Sequence, residues 1–121
     1  MLIAFWIVAG LTALAFFAAG AMKIARPKEA LIASGMAWAE DFSQPAIRLI
    51  GAAEVLGALG IVLPMLSGIA PILSPIAAAL LAVLMVGATV VHIRRHEPPI
   101  SAALLVFAAA TAVLGFLVVL G

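Results

Sequence analysis

Four side chains carry the chemistry that this sequence can place in an apolar setting: Glu54, Lys23, Arg48 and His92. Glu54 stands in the middle of IRLIGAAEVLGALGIVLP, where Arg48 is the one other charge. A carboxylate near the centre of a bilayer costs several kcal/mol unless it is protonated, hydrated or paired, so an ionisable residue there marks a functional site by default. Such a group can exchange a proton, accept a hydrogen bond from a bound molecule, or hold a basic partner. The last use is structural: a buried Glu–Lys or Glu–Arg pair pins helices together without acting on anything. Against a purely structural use stands its cost, because a buried pair is often no more stable than apolar residues of similar size.

Helical geometry limits the partners. Arg48 and Glu54 are six residues apart, about 600° of rotation, so their faces differ by about 120° and they are not a one-turn pair. Helical side chains lean toward the helix N-terminus. Arg48, about one turn into its helix, therefore leans toward the interface and can snorkel, as a topology anchor does. Glu54 lies about 13 Å along the same helix, beyond the reach of snorkelling. Lys23 ends the preceding apolar segment, which runs the other way, and its side chain leans back into the membrane toward Glu54. His92 ends the third segment on the same side, and Thr12 is level with Glu54 on the first. His92 and His96 (HIRRHEPP) stand one helical turn apart with Glu97 close by. Two histidines on a frayed helix end beside Arg94 and Arg95 do not make a cation site, so no metal is expected.

The elements that must position these residues follow from composition. Of 121 residues, 68% are hydrophobic and 9% charged. A soluble domain is roughly a quarter charged, and a chain this short cannot hide so much apolar surface from water. The bilayer is its solvent. Apolar runs at about 2–22, 45–65, 75–93 and 99–120 are each near the ~20 residues that cross ~30 Å of hydrocarbon as a helix. Backbone groups must be satisfied internally in lipid, so the fold class is all-α, a four-transmembrane-helix bundle in one domain. Pro45, Pro75 and Pro99 sit in first turns, where a missing N–H is tolerated, and Ser43 is placed as an N-cap. The first run lacks a basic leader and is too long for a signal peptide, so a retained helix is expected. A net charge of +1 with no basic stripe argues against nucleic acid. The absence of cysteine removes disulfides and thiolate chemistry, and the absence of tyrosine removes another proton carrier.

Lys23, Arg26 and Lys28 follow the first helix, and Arg94 and Arg95 the third, whereas PMLSGIAPILSP between the second and third is uncharged. The positive-inside rule then puts both basic connections in the cytoplasm and both termini outside, with Trp6 and Trp38 near opposite interfaces. The first connection, KEALIASGMAWAEDF, brings Leu31, Trp38 and Phe42 near one helical face. It reads either as a short interfacial helix weakened at Ser34-Gly35 or as a loop that touches lipid through Trp38. Ala53, Gly57 and Gly60 leave a small-residue face on the second helix, suited to packing within the bundle or in a homodimer.

Gly51-x-x-Glu54-x-x-Gly57 running into Leu63-Pro64, supported by Ala-Gly-x-x-Lys at Ala19 to Lys23, resembles the DoxX-like family of small bacterial four-helix membrane proteins over nearly the whole chain. The resemblance implies redox work at the inner membrane. Members include a subunit of thiosulfate:quinone oxidoreductase and accessory proteins that organise oxidoreductases, and many have no assigned activity. Two functions compete. One is a redox accessory that holds a quinone or lipid-like molecule near Glu54, with Lys23, Arg48 and His92 tuning it and an oxidoreductase as partner. The other is a small proton-coupled exporter, although small multidrug transporters carry their glutamate in the first helix and use membrane tyrosine. A scaffold without catalysis is a third outcome, and an activity of its own is not expected.

Overall fold

The computed structural model describes residues 1–97 and 101–121. Its elements are α1 (Leu2–Ala25), α2 (Lys28–Ala33), a 3-10 turn (Ala37–Asp41), α3 (Gln44–Ser67), α4 (Leu73–Arg94) and α5 (Ser101–Leu120). Among the described residues, α1, α3, α4 and α5 are long and apolar enough to cross a membrane. The chain is an all-α polytopic bundle. Outward-facing Leu14, Leu49 and Leu80 are each at least 66% exposed, a surface that only lipid would solvate well.

Neighbouring spans are antiparallel, and the ring closes through contacts of α1 with α3, α3 with α4, α4 with α5 and α5 with α1. Phe5, Phe16, Ile61, Leu81 and Met85 fill its centre. Ser43 caps α3 by accepting from the Ala46 amide, with Pro45 in the first turn. Helix α3 continues through Pro64, past its expected end, and stops where Gly68 takes up a left-handed φ of 75°. Helix α1 likewise runs three residues beyond Met22 and keeps Lys23 in its last turn, where a cation suits the helix dipole. The expected start of the last span at Pro99 lies outside the described residues.

The small-residue face of α3 is used inside the bundle. A Cβ at Gly57 would meet Leu81 side-chain atoms at 2.6–2.8 Å, and one at Gly60 would meet Ala77 at 3.0 Å. Both contacts are with α4, so this face no longer argues for a homodimer. Packing is closest between α1 and α3. A Cβ on Gly20 would lie 2.5 Å from the Gly51 carbonyl oxygen, and a Cβ on Gly51 would lie 2.7 Å from that of Gly20. Only glycine at both positions lets the two backbones approach this closely.

The first connection is neither one continuous helix nor a plain loop. It divides at Ser34-Gly35, where Gly35 has a φ of 107° that an L-side chain rarely adopts. The two pieces fold onto the Lys23 end of the bundle, burying Leu31 and Ala39 against Ile47 of α3, with Trp38 and Phe42 packed around them.

Candidate functional site

The Gly20–Gly51 crossing positions the charged pair. Lys23 lies three residues beyond Gly20, about 4.5 Å nearer the connection, and Glu54 lies three residues beyond Gly51, about 4.5 Å deeper. Each side chain leans toward its own N-terminus, so in antiparallel helices the two lean toward each other. Lys23 Nζ donates to Glu54 Oε1 at 2.5 Å. Glu54 is fully buried and Lys23 is 8% exposed. The ammonium also stands 5.5 Å from the centre of the Trp38 ring, within the range of a cation–π contact.

Glu54 Oε2 is buried and has no hydrogen-bond partner among the described residues. Buried polar atoms are rarely left without partners, and Glu54 is among the residues that line a cavity of about 490 Å³. The size is typical of small-molecule sites. All four spans line it, with Lys23 from α1, Ile50 and Glu54 from α3, Gly87 and Val91 from α4 and Leu104 from α5, and Trp38 lines it from the connection. On the side of the cavity distant from the connection, α3 and α4 pack together, with Gly57 against Leu81. They are joined where Ser74 Oγ donates to the Ile61 carbonyl, 2.6 Å away. Toward the Lys23 end the cavity occupies the space between them.

Of the residues singled out from sequence, Lys23, Glu54 and His92 all line this cavity. Arg48, named with them as a candidate site residue, does not: it is exposed on α3, on a different face from Glu54. His92 packs edge-on against Trp38, with ring centroids 6.4 Å apart, and its Nδ1 stands 3.4 Å from Glu97 Oε1. Thr12 is buried but serves another contact: its hydroxyl meets that of Thr111 on α5 at 3.0 Å. No group of three or more metal-ligating side chains occurs among the described residues.

Two features escaped the sequence reading. Trp38 does more than mark an interface, since it packs on Phe42 and His92 and lines the cavity. Arg95 does more than orient the chain. Its guanidinium donates to Asp41 Oδ2 at 2.5 Å, with Glu97 Oε1 3.3 Å away and Glu40 Oε2 3.9 Å away. The hydrogen bond to Asp41 raises the Arg95 pKa still further. This clasp ties the connection to the end of α4. Its signal was available in the sequence, in Glu40-Asp41 and Arg94-Arg95 lying in two connections on the same side of the membrane.

No curated protein and no solved structure matches the chain. The sequence model of the DoxX-like family matches residues 7–118, a span that includes both glycines of the crossing, the ion pair and every cavity-lining residue named above. The chain belongs to the DoxX-like family.

Proposed function

We propose that this DoxX-like protein is a redox-associated accessory of the bacterial inner membrane that holds a quinone or similarly lipid-like molecule beside Glu54. The observation that carries this reading is a fully buried carboxylate with an unpartnered Oε2 in a residue that lines an apolar cavity. Such an oxygen suits a headgroup hydroxyl that donates to it, and the remaining N–H groups of Lys23 suit a headgroup carbonyl. The Trp38 ring supplies an aromatic surface for a flat headgroup. Glu54 would exchange the headgroup proton, and His92 with Glu97 would connect that position to the aqueous side. Electron transfer falls to an oxidoreductase partner.

The exporter alternative asks Glu54 to hold a cationic substrate, and Lys23 already serves as its counter-ion on Oε1. The quinone reading needs no such displacement.

The test uses intrinsic fluorescence. Trp6→Phe leaves Trp38 as the sole tryptophan, and a bound quinone should quench it. Titration with a decyl-substituted benzoquinone in detergent should show saturable quenching. Glu54→Gln keeps the acceptor for Lys23 but places an amide donor where Oε2 stood, so the reduced quinol, whose hydroxyl must donate there and which is read as a competitor that relieves the quenching, should lose affinity by about tenfold or more. Equal competition by the quinol in both proteins would leave a scaffold as the better reading.

The same proposal places the Lys23 end in the cytoplasm, from the distribution of Lys and Arg. Ile69, 75% exposed between α3 and α4, then faces outward from the cell. Ile69→Cys should react with a membrane-impermeant thiol reagent in intact spheroplasts, and reaction only after lysis would reverse the orientation.

A further inference from the structure

Resting on the reading that the cavity takes a small molecule at Glu54, we propose that this ligand carries a hydrocarbon chain that leaves the site sideways, between α3 and α4. The ligand would then enter from the bilayer and not from water. Four observations converge. Helices α3 and α4 are in close contact toward the end distant from Lys23, at Gly57 against Leu81, Gly60 against Ala77 and Ser74 on Ile61. Nearer Lys23 the cavity lies between them, and in its α4 wall Gly87 is exposed, with nothing within 4 Å of where its Cβ would be.

An outer groove between the same two helices is lined by Ala53, Leu56, Leu80, Val83 and Leu84, without a charge, and Leu84 also lines the cavity. The groove and the cavity therefore meet at one side chain. The aqueous end is covered instead: Met36, Trp38 and Phe42 line the cavity from the connection, which the Arg95–Asp41 ion pair ties to the end of α4.

These surfaces sort a ligand by its two ends. The polar head meets Glu54 and Lys23, and a single apolar chain fits the uncharged groove. A water-soluble compound with the same head has no use for the groove.

The experiment compares two probes in nanodiscs, using Trp38 fluorescence in the Trp6→Phe protein. One is 2,3-dimethoxy-5-methyl-benzoquinone, which has no chain, and the other is its decyl derivative, with concentrations expressed per lipid to remove partitioning. The decyl probe should bind about tenfold more tightly, because the groove adds contacts along the chain. Gly87→Leu and, from the facing helix, Ala53→Leu should each bring the ratio of the two affinities toward one. Gly87→Ala provides a milder obstruction should the larger side chain impair folding, and it should lower the ratio by a smaller amount. A ratio near one in the parent protein, or a ratio unmoved by all three substitutions, overturns the lateral route. If Glu54→Gln weakens binding of the reduced, quinol forms of both probes in that case, the site itself stands. If neither probe binds the parent protein, both proposals fall.

Discussion

Lys23→Met is expected to destabilise the protein by about 3–5 kcal/mol, because it strands a fully buried carboxylate without its counter-ion. Thermal unfolding in mild detergent, followed by circular dichroism, reads this as a large fall in the midpoint. The informative comparison is the double change Lys23→Met with Glu54→Leu. A buried ion pair replaced by apolar residues of similar volume is often neutral or stabilising. The double variant should therefore recover most of the lost stability and bind no quinone. Recovery of both stability and binding would show that the pair only pins α1 to α3. A single variant as stable as the parent would show that Lys23 is not the counter-ion that holds Glu54.

Gly20→Ala is expected to cost about 1–3 kcal/mol, the usual range for forcing an extra carbon into a packed contact. The added methyl would meet the Gly51 carbonyl oxygen and the Val55 amide nitrogen, both backbone atoms that no rotamer change can move. Helices α1 and α3 must separate, and the Lys23–Glu54 bond lengthens with them. Quinone affinity should fall together with stability. Gly10→Ala on the same helix is the control, since its Cβ meets nothing within 4 Å. That change should be neutral or stabilise by up to about 1 kcal/mol through helix propensity alone. Equal effects at the two glycines would contradict the close crossing.

The crossing also explains how the charged pair was legible before any coordinates. Two glycine-led four-residue motifs, Gly20-x-x-Lys23 and Gly51-x-x-Glu54, lie in consecutive antiparallel segments. Side-chain lean alone aims their ionic ends at each other. Arg48 could be separated from Glu54 by the same arithmetic, which depends only on 100° of rotation per residue. Thr12 shows where that arithmetic stops. Depth along the bundle is readable from residue counts, but the direction in which a hydroxyl faces is not, and Thr12 turned out to meet Thr111 on α5.

What the sequence determined by itself is therefore whatever depends on one helix and its solvent. The four spans, the proline and serine at the start of α3, and a buried carboxylate with a basic partner among Lys23, Arg48 and His92 all follow from the cost of polar groups in lipid and from helical periodicity. The tertiary structure decided which face of each helix meets which neighbour. These spans are apolar on nearly every side, so little in their composition distinguishes a core face from a lipid face. Steric fit makes the choice: Gly57 and Gly60 receive Leu81 and Ala77, holding α3 against α4 at one end. At the other end the folded connection carries Trp38 across the bundle, and the cavity beside Glu54 remains between the helices.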